Sequence, residues 1–79
     1  MKFKLQKLGY IRIKSTEKCH YYQKATANYN RLNILIDRET EEITGFFMIP
    51  ISRDKCDRHI EQIATDYNTL KADVEKLEK

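Results

Sequence analysis

The chain has 79 residues, of which 41% are hydrophobic and 34% charged, with two glycines and one proline. This composition excludes a disordered or low-complexity chain, and the lack of a long apolar run near the N-terminus argues against a signal peptide or a membrane span. We therefore expect one folded, cytoplasmic domain over residues 1–79, which at this length buries only about 60% of its unfolded surface and gains stability from a partner chain.

Charge is distributed unevenly along the sequence. Residues 1–31 contain eight basic residues and one acidic residue, which gives a net charge of +7, whereas residues 32–79 contain seven basic and eleven acidic residues, which gives −4. The formal net charge of +3 conceals this difference. A small domain built in this way is electrostatically bipolar, and its basic half is the natural surface for an anionic partner.

The first residues alternate between apolar and basic side chains. Phe3 and Leu5 are separated by Lys4, and Ile11 and Ile13 are separated by Arg12. A period of two predicts two short strands, or one strand bent near Gly9, with the aliphatic side chains on the core face and the basic ones in solvent.

The middle of the sequence predicts the rest of a small sheet. Residues 15–18 are typical of a turn, residues 19–24 of a strand, and residues 25–31 of an irregular link or a short helical turn. Residues 32–37 and 42–51 are β-rich and enclose a polar turn, which predicts a hairpin that ends near Pro50. Both strands of this hairpin are apolar on both faces, so both faces of the sheet need cover.

The last quarter of the chain has the spacing of a helix with a heptad seam. No glycine or proline interrupts residues 52–79, and Ser52 or Asp54 is suited to cap the helix. The apolar residues recur with gaps that alternate between four and three. They are Cys56, Ile60, Ile63, Tyr67, Leu70, Val74 and Leu77.

This helix has two possible packing partners. A helix of about 25 residues is about 37 Å long, roughly twice the length of a five- or six-residue strand. The second half of the helix is therefore predicted to meet another chain, with the alternative that it folds back on its own sheet. The predicted dimer interface consists of Ile60, Ile63, Tyr67, Leu70, Val74 and Leu77.

The predicted fold is thus α+β. A small antiparallel sheet of three or four strands in residues 1–51 is followed by one long C-terminal amphipathic helix in residues 52–79. We expect a homodimer that forms through the helix, as a coiled coil, or through the sheet face that the helix leaves uncovered.

Catalytic and metal-binding motifs are not found in the sequence. It contains no phosphate-binding glycine loop and no serine in a nucleophile-elbow context, so we do not expect an enzyme, a catalytic residue or a cofactor. Two cysteines and two histidines, Cys19, His20, Cys56 and His59, form a donor set that zinc accepts. Adjacent strand residues point to opposite faces, however, so we interpret the cysteines as reduced thiols and predict no metal site.

The basic half favours nucleic-acid binding. Lysine and arginine neutralise phosphates, and tyrosine rings between them offer flat surfaces for base stacking. The predicted phosphate contacts are Lys2, Lys4, Arg12, Lys14 and Lys18, and the predicted stacking residues are Tyr10, Tyr21 and Tyr22.

The alternative function is that of a protein-interaction module. In that case the basic face docks on an acidic protein surface, or the heptad helix pairs with a helix of a different protein, and the module regulates or inhibits a larger protein. A purely structural dimer is a third possibility, and the sequence does not separate the three.

Overall fold

Four strands form one antiparallel sheet, and a long C-terminal helix packs on one of its faces. The computed structural model describes residues 1–50 and 57–78, with the side chains of the second range described from Ile60 onwards. The elements are α1 (Lys2–Lys7), β1 (Ile11–Ser15), β2 (Cys19–Ala25), β3 (Arg31–Asp37), β4 (Ile43–Ile49) and α2 (Asp57–Glu78). This architecture confirms the predicted α+β fold. The predicted helix caps at Ser52 and Asp54 lie outside the described residues.

The sheet is a meander in which each strand pairs with the next, in the order β1-β2-β3-β4. The predicted hairpin forms between β3 and β4, and its turn is organised by Asp37. One carboxylate oxygen of Asp37 accepts hydrogen bonds from the backbone N–H groups of Glu39 and Thr40, at 2.8 and 2.9 Å. A carboxylate at the start of a turn commonly satisfies the turn's free N–H groups in this way.

The core lies between the sheet and the two helices. It is formed by Leu5, Tyr10, Tyr22, Leu32, Ile34, Ile36, Leu70, Val74 and Leu77, each at most 5% exposed. The three β3 residues are separated by two positions, and the three α2 residues by four and three, so each element contributes one face. Strand β3 lies under α2, which also packs on β4.

The first predicted strand is wrong, because residues 2–7 form the helix α1. The period-two interpretation placed Phe3 and Leu5 on the same face, but Phe3 is 76% exposed and Leu5 is completely buried. Met1 and Leu8 pack partly buried beside Leu5. Spacings of four and three residues describe a helix face, so the helical pattern of Met1, Leu5 and Leu8 prevails over the alternation.

The second half of α2, predicted to meet another chain, packs on the sheet of its own chain. Leu70, Val74 and Leu77 are buried there together with two carboxylates, Asp66 and Asp73. The buried stripe is therefore wider than a heptad seam, as expected for a helix that covers a sheet.

Asp66 anchors the turn between β2 and β3 to the helix. One of its oxygens accepts hydrogen bonds from Thr26 Oγ1 and Asn30 Nδ2, both at 2.7 Å. Asn28 Nδ2 lies 3.3 Å from both carboxylate oxygens. Asn30 is 1% exposed and Asp66 is 6% exposed. Because a buried carboxylate is costly unless donors surround it, these bonds fix the turn in one position on α2.

Asp73 lies about two helical turns after Asp66 in α2. It anchors the start of β1 and the end of β2 to this helix. Its Oδ2 atom accepts from Tyr10 Oη and pairs with Lys24 Nζ, both at 3.0 Å. Lys24 Nζ also donates to the backbone carbonyl of Leu8, at 2.9 Å. The lysine stem passes Gly9, where an added Cβ would lie 3.1 Å from Lys24 Cδ and where φ is +96°. Glycine at position 9 thus allows both the left-handed turn and the close approach.

Tyr10 makes the stability of the fold depend on pH in the alkaline range. Burial of the ring, and then the charge and hydrogen bond of Asp73, raise the pKa of Tyr10 far above its usual value. The folded state keeps this proton after the unfolded chain has lost it, so the contribution is complete below about pH 10 and declines above it. We expect the difference in unfolding free energy between the wild type and Tyr10→Phe to shrink by about 1.4 kcal/mol per pH unit above pH 10 in urea titrations. Parallel stability curves of the two proteins would contradict this account.

Candidate interaction surface

The pairing register divides the strand side chains between two faces of the sheet. Residues directly opposite each other in an antiparallel pair share a face. Tyr22 pairs with Ile34 and thus faces the core, whereas Tyr21 pairs with Leu35 and faces away from it. We call the second face the open face. Its members are Ile11, Lys14, Cys19, Tyr21, Gln23, Ala25, Arg31, Asn33, Leu35, Asp37, Gly45, Phe47 and Ile49.

Large apolar side chains on the open face are exposed. Ile11 is 67% exposed, Ile49 47% and Phe47 41%, and Leu35 lies half-buried among them. The prediction that Ile11 and Ile13 face the core is therefore wrong, since Ile13 is also 46% exposed. Within residues 1–50 and 57–78, both helices lie on the other face. Neither helix therefore covers the open face, although the hairpin is apolar on both faces and both are predicted to need cover.

The polar members of the open face form ordered contacts along its centre. Gln23 Nε2 donates to Asn33 Oδ1 at 3.0 Å, and Asn33 Nδ2 donates to the backbone carbonyl of Arg31 at 3.2 Å. The ammonium group of Lys14 lies 4.6 Å from the centre of the Tyr21 ring. These contacts hold the side chains in place, so a partner meets a preorganised surface.

Gly45 makes a depression in this face. It pairs with Leu35, and Phe47 lies two residues further along the same strand. A Cβ atom added at Gly45 would find no atom of the other described residues within 4 Å, apart from the two chain neighbours, and the Gly45 backbone lies outside the left-handed region. Within the described part of the chain, neither a left-handed turn nor close packing requires this glycine, which lies beside an irregularity in the β3–β4 register.

The predicted phosphate contacts do not form one surface. Lys2 and Lys4 are exposed on α1, on the helix side of the molecule, and Lys18 is exposed in the turn between β1 and β2. In β1, Arg12 pairs with Tyr22 and Lys14 with Tyr21, so the two point to opposite faces. A bulge between Arg12 and Lys14 causes this, because it interrupts the simple alternation.

Two of the three predicted stacking residues are not available to bases. Tyr10 is completely buried and Tyr22 is 4% exposed. Both rings contribute to the core, which is a correction to the sequence-based expectation. Tyr21 is half-buried on the open face and has the Lys14 ammonium over its ring.

The predicted dimer interface is divided by the fold. Leu70, Val74 and Leu77 are core residues of the single chain and do not form an exposed seam. Ile60 is 57% exposed and Tyr67 40% exposed, and Ile63 is half-buried. Of the predicted dimer interface, the part formed by Ile60, Ile63 and Tyr67 stays a prediction.

The proposed donors of a zinc site are only partly described. Cys56 and the side chain of His59 lie outside the described residues. Cys19 and His20 follow each other in β2 and point to opposite faces, and His20 Nδ1 lies 2.6 Å from Ser15 Oγ. Among the described side chains, no three histidine, cysteine, aspartate or glutamate residues are close enough to hold a metal ion.

Comparison with known proteins gives no match: no family model, no curated protein and no solved structure is significantly similar to this chain. Neither described helix is both long and apolar enough to cross a membrane. The case for a function thus depends on the surface chemistry of the chain itself.

Proposed function

We propose that this protein is a non-enzymatic protein-interaction module that acts through the open face of its sheet. The observation that carries the proposal is the exposure of Ile11, Phe47 and Ile49 on the side of the sheet that faces away from the core. An apolar surface of this kind, with polar groups between its members, is typical of protein–protein contacts.

The composition of the open face favours a protein partner over a nucleic acid. Base stacking needs accessible aromatic rings, and Tyr21 on β2 and Phe47 on β4 are separated by strand β3 and accompanied by aliphatic side chains. Lys14 covers the Tyr21 ring, and aliphatic groups gain little from contact with phosphates. Apolar side chains of another protein match this surface better.

Matched phenylalanine substitutions test the proposal. Phe47→Asp places a charge on the open face, whereas Phe3→Asp places the same charge at an exposed position of α1. Each variant is immobilised and exposed to a nuclease-treated lysate and to additional copies of the chain. We expect Phe47→Asp to lose retention of protein partners, including copies of the chain, and Phe3→Asp to keep it. Equal behaviour of the two variants, with melting temperatures preserved, would contradict the proposal.

Nucleic-acid binding is a second candidate function, favoured by one basic cluster on the opposite side of the molecule. Lys4, Lys7 and Lys76 border a depression whose floor includes Leu8 and Leu77. Anisotropy titrations of single-stranded DNA, duplex DNA and RNA at about 50 and 200 mM salt test it, since phosphate contacts weaken steeply with salt. Binding that Lys7→Glu with Lys76→Glu removes, and Phe47→Asp does not, would assign this function to the cluster.

A further inference from the structure

We propose that the occupant of the open face is a second copy of the chain, packed sheet against sheet with the two β3 strands antiparallel. This inference rests on the proposed function and adds the identity and orientation of the partner. Three features of the open face support a second copy as its occupant: its charges, its relief and its size.

The register defines which residues a two-fold axis brings together. Along β3, the open face presents Arg31, Asn33, Leu35 and Asp37 in successive rows. An axis that runs across the strands, between the rows of Asn33 and Leu35, reverses the strand direction and superposes equivalent strands. It places the row of Arg31 on the row of Asp37 in the second copy. An isologous contact of this kind occurs twice in one dimer.

The two charges that β3 contributes to the open face are complementary in this orientation. Arg31 is exposed at one end of β3, and Asp37 lies half-buried at the other end. The backbone donors of the hairpin turn hold the pKa of Asp37 below its usual value, so it is a carboxylate at neutral pH. If the axis ran along the strands between β2 and β3, Arg31 would meet Ala25 and Asp37 would meet Cys19, and neither charge would find its opposite. The charges therefore favour the antiparallel orientation.

The relief of the face is also complementary in this orientation. Phe47 lies in the row of Asn33, and Gly45 lies in the row of Leu35. The same axis therefore places the phenyl ring of each copy over the glycine of the other, where the described residues leave open space. A projecting ring opposite an empty depression allows two sheets to approach at the usual distance of about 10 Å.

The size of the face fits a weak to moderate dimer. Four strands spaced about 4.8 Å apart and five to seven residues long cover roughly 20 by 20 Å. A standard interface buries about 800 Å² of accessible surface on each partner, and the footprint of the open face, about 400 Å², is about half of that, which corresponds to a weak interface. We expect a dimer that dissociates on dilution through the micromolar range.

Sedimentation equilibrium of the full chain from about 1 to 300 μM tests this geometry with three variants. Gly45→Val fills the depression with a side chain whose Cβ lies more than 4 Å from the other described residues, apart from the two chain neighbours, while Ala72→Val adds bulk at an exposed position of α2. Arg31→Asp places two carboxylates opposite each other, because position 31 of each copy meets Asp37 of the other. We expect Gly45→Val and Arg31→Asp each to weaken the dimer at least tenfold, and Ala72→Val to leave it unchanged.

Thermal melts separate folding from association. Gly45→Val should melt no lower than the wild type at concentrations where both are monomers, since a β-branched residue suits a strand. A wild type that stays monomeric at 300 μM, or a dimer that Gly45→Val does not weaken, would overturn this inference. In either case the proposed function is decided separately by Phe47→Asp against Phe3→Asp. Loss of partner retention in Phe47→Asp would then indicate a different protein on the open face.

Discussion

Leu70→Ala is expected to lower the free energy of unfolding by about 3 kcal/mol, measured by urea denaturation. Leu70 is completely buried between α2 and the sheet, so its truncation removes apolar contacts and leaves a cavity. Leu70→Asp should prevent folding, since the core offers an unpaired carboxylate no compensation.

Tyr67→Ala is the matched control on the same helix. Tyr67 belongs to the same predicted seam but is 40% exposed, so its truncation should cost about 1 kcal/mol or less. If Leu70 instead served an interface between helices, Leu70→Ala would dissociate the protein while the separated monomers kept their stability. A concentration-independent loss of stability in Leu70→Ala, and little loss in Tyr67→Ala, is the result expected from the fold.

Asp66→Ala is expected to lower the free energy of unfolding by about 3 kcal/mol. This loss, at a polar site, is comparable to that expected for Leu70→Ala. The substitution removes the acceptor of Thr26 Oγ1 and Asn30 Nδ2 and leaves the buried Asn30 amide without this bond. Hydrogen bonds to a charged acceptor contribute roughly 1.5–3 kcal/mol each, and the losses in one cluster are not additive. Urea denaturation measures the total effect.

Hydrogen exchange locates the effect of Asp66→Ala in the chain. The amides of the turn between β2 and β3 should exchange faster, because Asp66 is what ties this turn to α2. Asn68→Ala changes an exposed residue of the same helix and should leave both stability and turn exchange unchanged. A uniform change over all strands, with no preference for the turn, would show that Asp66 does not act as this anchor.

The sequence predicts the central hairpin well and the chain's beginning poorly. The β-rich runs predicted at residues 32–37 and 42–51 enclose a polar turn, and β3 and β4 form there, at Arg31–Asp37 and Ile43–Ile49. Phe3 and Leu5 are only two apolar positions, and two positions do not distinguish a strand period from a helix face. Tertiary packing buries Leu5 beside Met1 and Leu8, and this burial favours a helix over a strand for these residues.

The heptad interpretation of α2 fails for a related reason. Asp66 and Asp73 are polar and do not count toward the apolar seam, yet both are buried beside it. Their partners are Thr26, Asn30, Tyr10 and Lys24, which are distant in sequence and reach α2 only in the folded chain. Periodicity measures hydrophobicity alone, so it does not detect a carboxylate whose burial is compensated by such donors.

The candidate surface is partly visible in the sequence. The apolar character of both hairpin faces predicts that both sheet faces need cover, and the pairing register places Leu35, Phe47 and Ile49 on the face away from the helices. The basic aromatic surface is not reproduced, because the β1 bulge separates Arg12 from Lys14 and the alternation of β2 buries Tyr22. Residue types do not indicate reliably where a bulge occurs, so the sequence alone does not assign the side chains of β1 to the two faces of the sheet.

The most direct test of the open face as the interaction surface is a solvent paramagnetic relaxation measurement on methyl groups, made at low and high protein concentration. The structure predicts that Ile11, Leu35 and Ile49 lose relaxation enhancement as the concentration rises, while the exposed Ile60 of α2 keeps it. Protection of Ile60 and Ile63 with no change at Ile11, Leu35 and Ile49 would contradict the account and place the contact on the helix.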